Sequence, residues 1–457
     1  MKSDLLSYGR AIRDHAVAYR RLASAESCDA ADVRTVLLVL SASRGGSSLL
    51  YELLAESPDL LSLAGEHVPF YKLHGFDAAD RPDRSDRLTA RDLADLPDPG
   101  AVADLGRTLM SEVRVGPRAA TVREPGFAGL AAFRLALQWP ALALPWDDLL
   151  DLVESTAAAA AHDDARPADP QRFLALVLRR MAGRGLPVRP QYHDLPAALL
   201  AQCLPQPPGP APDGPPNPVF CLEELPFIAA PPRRLPGAEE IRTKPLLLKA
   251  PLDAYRRPLI RALFPNARIK VLHLTRNPAA SVNGLYDGWL DRGFFSHRVD
   301  TGPGGTTLQI GGYSTSTPGH WSAQWWNFDL PPGWQDLADA PLEDVCAFQW
   351  ASVHEHILAA HPDASGPDVL RVRFEDVVQS PQRRSDVLTA IRDFAGVPHP
   401  AGHGVSGAAP VVMATRPPAP DRWTARRRLI EPALRRPRVA QVADHLGYPP
   451  LRTTAGR

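Results

Sequence analysis

The segment RTVLLVLSASRGGSSLL, residues 34–50, decides the fold of this chain. Its apolar run at 36–40 lacks the alternation of a half-buried strand, which is typical of a strand covered on both faces of a parallel sheet. Small residues at 41–48 predict a turn, and the leucines that follow, as far as Leu54, mark one face of a helix. The segment therefore predicts a strand–loop–helix unit, the first element of many phosphate-binding α/β folds.

The same alternation of strands and helices recurs later in the chain. Strands are predicted at 245–250, 268–275 and 369–374, and a helix is predicted after each of them. This order favours a parallel sheet covered by helices. We therefore predict a P-loop-like, three-layer α/β fold with a central parallel sheet flanked by helices. The core of this single domain of residues 1–457 would comprise 33–78 and 242–450.

Between the two parts of the core lies a long stretch, residues 79–241, rich in Pro, Ala, Asp and Arg. Helices are predicted in it near 125–136, 147–160 and 170–184, and the proline-rich segment 206–216 cannot form regular structure. We interpret the stretch as a mostly helical and irregular insertion, or lid, that covers the active site.

The composition excludes several classes of function. The chain has 457 residues with 51 basic and 51 acidic side chains, so it lacks the positive field that nucleic-acid binding needs. Charges interrupt the N-terminal segment, and no apolar run reaches transmembrane length. We expect a cytoplasmic protein, and the bias toward Arg, Ala and Pro suggests a bacterial one. The four cysteines show no metal-binding spacing, and we expect no metal.

The loop between the first strand and helix has the features of an anion site. Gly45 and Gly46 allow the backbone to approach an anion, and the amide groups at the start of the helix stabilise negative charge. Ser43, Ser47 and Ser48 add hydroxyl groups. Arg44 adds a permanent cation with a forked geometry. The alternative is a Gly-Ser turn that only joins a strand to a helix.

A second candidate anion site follows the strand in FPNARIKVLHLTRNP, residues 264–278. Arg276 stands at the carboxyl end of that strand, before a helix that begins near Pro278, where charge and helix dipole can act on one phosphate. The alternative is an arginine in an ion pair at the edge of the sheet.

Taken together, these motifs resemble the superfamily of sulfotransferases that depend on 3′-phosphoadenosine-5′-phosphosulfate (PAPS). The segment at 41–50 resembles its 5′-phosphosulfate loop, with Ser43 and Gly45 in place of the usual Pro and Ser. The segment 264–278 resembles its 3′-phosphate motif. The resemblance also includes LKAP at 248–251 and VRFEDV at 372–377. It covers about 33–75 and 243–450 and leaves the insertion unmatched.

The resemblance implies particular roles for several residues. Ser43, Arg44, Gly45, Gly46, Ser47 and Ser48 would hold the 5′-phosphosulfate, and Arg276 would hold the 3′-phosphate. The family usually has a serine eight residues after that arginine, where this chain has Gly284. Ser281, on the same helical face one turn earlier, can supply the hydroxyl instead, or it can be an ordinary helix serine. Lys249 would stabilise the transferring group together with Arg44.

Transfer to a neutral hydroxyl also requires a base. Glu66 follows the predicted end of a second strand, on the ligand side of the sheet, and we predict that it is the general base. The alternative is an ordinary loop carboxylate or a partner in an ion pair. His67 is the competing candidate. The aromatic clusters 286–295 and 320–326 can line an acceptor pocket or pack in the core.

The sequence therefore predicts sulfuryl transfer from PAPS to a hydroxyl of a small molecule, such as a natural product, a lipid or a sugar, with release of 3′-phosphoadenosine 5′-phosphate (PAP). Two alternatives remain open. The chain can be a P-loop kinase-like phosphotransferase, although it lacks the Walker lysine. It can also be a protein that binds PAP without catalysis.

Overall fold

The computed structural model describes residues 2–448 with the exception of 24–28, 79–82, 120, 140–143, 164–168, 187, 204–213, 216, 218–220, 291–293, 303, 316–319, 364, 399–408, 415 and 420. The proline-rich segment predicted at 206–216 lies almost entirely outside these described residues.

A seven-stranded sheet forms the centre of the fold. Its strands are β1 Thr35–Leu40, β2 Leu61–Ser62, β3 Arg114–Val115, β4 Leu246–Lys249, β5 Arg268–Thr275, β8 Ser365–Gly366 and β9 Val369–Arg373. Their order is β3-β2-β4-β1-β5-β9-β8. The inner strands pair in parallel, and a short antiparallel strand lies at each edge. Two further strands, β6 Phe295–Arg298 and β7 Trp325–Asn327, form a separate antiparallel pair.

Strand β1 is covered on both faces, as the unbroken apolar run predicts. Val36, Leu38 and Leu40 belong to one hydrophobic core. Leu37 and Val39 belong to a second core on the opposite face. Because side chains alternate along a strand, a strand with apolar residues at every position supplies both cores.

Helices cover both faces of the sheet. They are α1 Lys2–Ala23, α2 Ser47–Ala55, α3 Val68–Leu73, α4 Ala90–Ala94, α5 Ala101–Glu112, α6 Phe127–Gln138, α7 Trp146–Asp163, α8 Pro170–Gly183, α9 Ala197–Cys203, α10 Ala238–Thr243, α11 Arg257–Leu263, α12 Pro278–Leu290, α13 Leu342–Ala360, α14 Phe374–Gln379, α15 Pro381–Ala395, α16 Arg427–Leu434 and α17 Pro437–His445. Helices α2 and α15 pack on the core that contains Leu37, whereas α6 and α13 contribute to the other core. The predicted three-layer α/β fold is confirmed.

The long stretch 79–241 is mainly helical, as predicted, and it also takes part in the sheet. Strand β3 lies within it and pairs with β2. Helix α6 packs against α1, and Phe133 of α6 joins the same core as Val36 of β1. The stretch therefore shares both a sheet and a hydrophobic core with the flanking segments.

Candidate active site

The three central strands carry the predicted site residues to one edge of the sheet. Strand β1 leads into the loop 41–46, β4 ends at Lys249, and β5 ends directly before Arg276. These strands are adjacent in the order β4-β1-β5. Because all three run parallel, their carboxyl ends meet at the same place, where open α/β sheets bind ligands.

The loop 41–46 has two residues with left-handed backbone and two glycines that leave no room for a side chain. Arg44 has a φ of 61° and Gly46 a φ of 94°. A Cβ atom on Gly46 would collide with the Phe374 ring, and one on Gly45 would collide with Ser41. Helix α2 begins at Ser47, and the first amide groups of a helix have no acceptor within it. The loop and the helix therefore present backbone donors beside the Arg44 side chain.

Lys249 connects this loop to Glu66. Its ammonium group donates to Ser48 Oγ at 3.0 Å and forms an ion pair with the Glu66 carboxylate. The Lys249 side chain is 7% exposed, whereas that of Glu66 is 37% exposed. The predicted catalytic lysine and the predicted base are thus in contact, and the carboxylate remains open to solvent.

The position of Glu66 is fixed through its backbone. The carbonyl group of Glu66 accepts a hydrogen bond of 3.1 Å from Arg134 of α6. Arg134 is buried and forms an ion pair with Glu112. The long stretch between the two core segments therefore supplies a supporting contact to the candidate base.

His67, the competing base, points away from solvent. Its side chain is 1% exposed, and Nε2 lies 3.0 Å from the Asp253 carboxylate. Tyr71 donates to the same carboxylate at 2.7 Å. The ring is therefore part of a buried polar network with Asp253 and Tyr71.

Arg276 lies directly behind the loop. It donates to the carbonyl oxygen of Arg44 at 2.8 Å, and its guanidinium lies over the Phe374 ring at 4.8 Å. Burial lowers the pKa of this guanidinium, and the nearby Glu375 carboxylate opposes that effect. The two predicted anion motifs are therefore joined by a hydrogen bond and a shared aromatic ring.

Ser281 and Gly284 lie on helix α12. The Ser281 side chain is completely buried, and within the described residues its hydroxyl has no hydrogen-bond partner. A Cβ atom on Gly284 would lie 3.3 Å from the Cβ of Arg44. A glycine at this position thus lets α12 approach the loop closely. The assignment of Ser281 to a 3′-phosphate stays a prediction.

The loop and Glu66 open onto one cavity of about 390 Å³. Phe294, Phe328 and Leu252 form part of its apolar wall. The region 79–241 also contributes, through residues that include Asp194, Glu223 and Leu225. A cavity of this size accommodates a small organic molecule. The aromatic residues Trp289, Trp325 and Trp326 are buried in the core instead.

Among the cavity carboxylates that the sequence analysis did not name, Glu223 and Asp329 have pKa values raised to about 7. Burial raises the pKa of Glu223 to about 7, against the effect of Arg134. Burial also raises the pKa of Asp329 to about 7, and Asp329 accepts a hydrogen bond of 3.1 Å from Ser43. Neither belongs to a recognisable motif. Glu223 begins a pair of acidic residues beside an apolar segment, which is the only signal in the sequence.

Three groups of known proteins were compared with the chain. No family model matches, and no curated protein matches. Among solved structures, the sulfotransferase domain from the curacin biosynthetic pathway is 13% identical, with a TM-score of 0.35, over 91% of this chain and 99% of that domain. The sulfotransferase domain from the Synechococcus PCC 7002 olefin synthase is 14% identical, with a TM-score of 0.34, over 91% of this chain and 96% of that domain.

No helix of the described residues combines the length and the apolar character that crossing a bilayer requires. Nor do three His, Cys, Asp or Glu side chains in this part of the chain come together in an arrangement that could hold a metal ion.

Proposed function

We propose that this protein is a sulfotransferase that moves a sulfuryl group from PAPS to a hydroxyl of a small molecule. The observation that carries the proposal is the contact of Lys249 with both Ser48 and Glu66. This lysine stands between an anion-binding loop and an exposed carboxylate in one cavity. A donor site and a base are therefore adjacent, as direct transfer between two bound molecules requires.

The residues of the loop fit the anionic end of the donor. Bound PAPS would supply the activated sulfuryl group. Arg44, the backbone donors and the hydroxyls of Ser47 and Ser48 would hold the phosphosulfate and stabilise the charge that develops on the leaving oxygen. Arg276 would hold the 3′-phosphate, and Ser281 would add its hydroxyl.

Glu66 would then accept the proton of the acceptor hydroxyl. The new oxygen–sulfur bond forms as the bond from sulfur to the 5′-phosphate oxygen breaks, and PAP leaves with that electron pair. For this step Lys249 must turn from the carboxylate toward the transferring group. A flexible ammonium group can make that movement, and the turn frees Glu66 to bind the hydroxyl.

The acceptor would occupy the rest of the cavity. Its walls combine apolar side chains with carboxylates, including Glu223 and Asp194. This lining is compatible with a natural product, a lipid head or a sugar. Because part of the wall comes from the long stretch 79–241, we propose that this stretch determines the choice of acceptor.

Nucleotide binding tests the donor assignment. Calorimetry should show that PAP binds at least about tenfold more tightly than AMP, because the 3′-phosphate adds charged hydrogen bonds of about 1.5–3 kcal/mol each. ATP should bind more weakly than PAP. Equal affinities for PAP and AMP would overturn the 3′-phosphate site.

Metal removal separates this proposal from a kinase-like activity. We expect transfer of labelled sulfuryl groups from PAPS to a panel of hydroxyl compounds to continue in EDTA, since Arg44 and Lys249 supply the positive charge. Turnover of ATP that requires Mg²⁺ would instead support a phosphotransferase. Binding of PAP without transfer to any acceptor would leave only the nucleotide-binding role.

A further inference from the structure

Asp329 is held against the anion loop by an unusual piece of backbone. Phe328, the preceding residue, has a φ of 64°, a conformation that is strained for a residue with a side chain. Its ring stacks on Phe294 with centroids 4.4 Å apart, and the Arg44 guanidinium lies 5.4 Å from the Phe294 ring. The strained turn therefore fixes Asp329 beside the loop, and both Phe328 and Asp329 line the cavity.

The Asp329 carboxylate accepts two hydrogen bonds from neutral hydroxyls. Ser43 Oγ donates to Oδ1 at 3.1 Å, and the Tyr255 hydroxyl donates to Oδ2 at 3.1 Å. The residue is 2% exposed. Asp86, the charged side chain that most affects it, is itself an acid and raises the pKa further. This carboxylate is buried beside a site that must bind an anion.

The Ser43 hydroxyl has a single hydrogen. While Asp329 is ionised, that hydrogen is directed to the carboxylate, so Ser43 presents only lone pairs to an anion. When Asp329 is protonated, the carboxylic acid can donate to Ser43 Oγ, and the Ser43 hydrogen is free to point at the anion. Protonation also removes the repulsion between the carboxylate and the bound charge.

We propose that anion binding in the loop 41–48 is coupled to the uptake of one proton by Asp329, which reverses the hydrogen bond between Asp329 and Ser43. Asp329 is thus a positioning residue that acts through Ser43. The inference rests on the proposed function, because it takes the loop as the site of the donor phosphosulfate. The proton comes from solvent and returns to solvent when the product leaves.

The other groups around Asp329 do not titrate in its place. Interactions with His297 and Arg256 lower the pKa of Asp86 to about 2 despite its burial. Burial and the nearby Asp329 raise the pKa of Tyr255 well above its usual value. Helix α13 contributes two neighbours. Gln349, which does not titrate, donates to the Asp329 carbonyl at 2.8 Å. The ring of His356 packs on Tyr255, and burial lowers the pKa of that histidine. The cations that line the cavity are Arg44, Lys249 and Arg118. Glu223 is a further acid there with a pKa of about 7, and burial also raises the pKa of its neighbour Glu224.

Calorimetric titration with PAP at pH 6, 7 and 8 tests the inference. With an Asp329 pKa of about 7, the fraction of protein that is ready to bind falls about tenfold between pH 6 and pH 8, and the affinity should fall with it. Titrations at pH 8 in HEPES and in Tris, whose ionisation enthalpies differ, should reveal uptake of about one proton per PAP. Asp329→Asn should lose this uptake and retain only the pH dependence of PAP itself.

Two further variants keep the test specific. Glu223→Gln removes an acid of similar pKa from the same cavity, and the pH dependence of PAP affinity should persist in it. Tyr255→Phe removes the donor to Oδ2 while leaving the loop intact, so the pH at which affinity falls should move upward. The same pH profile in wild type and Asp329→Asn would overturn the inference while the donor assignment stands. Failure of PAP to bind at any pH would overturn the proposed function and the inference together.

Discussion

Glu66 combines an exposed carboxylate with a fixed backbone. Its carbonyl group is held by Arg134, and its carboxylate faces the cavity next to Lys249. In the proposed reaction this carboxylate would contact the acceptor rather than the nucleotide, because an acid that touched the nucleotide would weaken the binding of a polyanion. The buried neighbour His67 has no comparable access.

Replacement of this carboxylate should separate chemistry from binding. We expect Glu66→Gln to lower kcat by about 10²–10⁴, because the amide cannot take the proton of the acceptor. The affinity for PAP, measured by calorimetry, should stay within a few-fold of wild type. Glu52 is another acid of the same cavity wall, and Glu52→Gln should lower kcat far less than Glu66→Gln does. An active Glu66→Gln variant would place the base elsewhere.

Arg276 is predicted to act on binding rather than on the chemical step. Arg276→Ala should raise KM for PAPS about 10–100-fold, because the variant loses one or two charged hydrogen bonds to the donor. The kcat at saturating donor should change little. Arg268→Ala is a matched control, because Arg268 begins the same strand and pairs with Asp368 at the surface. A large fall in kcat with unchanged KM would contradict the assignment.

At the scale of single elements, the loop 41–46 depends on close contacts. Gly46 has a φ of 94° and lies against Phe374, the same ring that packs on Arg276. One aromatic side chain therefore supports both the turn before α2 and the arginine after β5.

Substitution of Gly46 should reveal this dependence. We expect Gly46→Ala to lower the free energy of unfolding by at least about 1–2 kcal/mol, because the left-handed conformation disfavours a Cβ atom and the Phe374 ring must move. Urea denaturation measures this change, and PAP affinity should fall as well. Gly183→Ala, at the end of α8 with no atom near the added Cβ, should be neutral or stabilising. Equal stability of both variants would show that the loop can relax.

The elements with clear patterns were well predicted from the sequence. The strand 268–275 has the predicted bounds, because it is an apolar run with a proline shortly before and after it. Strand β3 and the edge strand β8 were not predicted. Each has only two residues, so neither shows a period. Strand β3 pairs with the distant strand β2, which the local sequence does not specify, whereas β8 pairs with the adjacent strand β9.

At the scale of the whole molecule, the sequence predicted the loop side of the cavity but not its far wall. Arg44 and Arg276 follow recognisable strands and Lys249 ends one, and parallel strands bring their ends together. Asp329 and Glu223 lie in irregular segments, and only the tertiary fold carries them to the cavity. The periodicity of a sequence predicts helices and strands, whereas the positions of Asp329 and Glu223 depend on how the irregular segments pack.

The shared sheet and core make a prediction about unfolding. Strand β3 and helix α6 tie the stretch 79–241 to the rest of the chain, so we expect a single domain and one cooperative transition. Urea curves followed by far-UV circular dichroism and by tryptophan fluorescence should coincide. PAP at about 100 times its Kd should raise the unfolding free energy by about 2.7 kcal/mol. A separate transition that PAP leaves unchanged would make the stretch an independent unit.

The hydrogen bond from Arg276 to the Arg44 carbonyl has a consequence for inhibitor design. One of the five N–H donors of the guanidinium is bonded to the loop, so a compound that shifts Arg276 must break this hydrogen bond or move the loop with it. A compound that fills both anion positions allows the two arginines to adjust together. Fragments that bind either end should therefore be poor starting points, and linking them should improve affinity by more than the sum of their separate contributions.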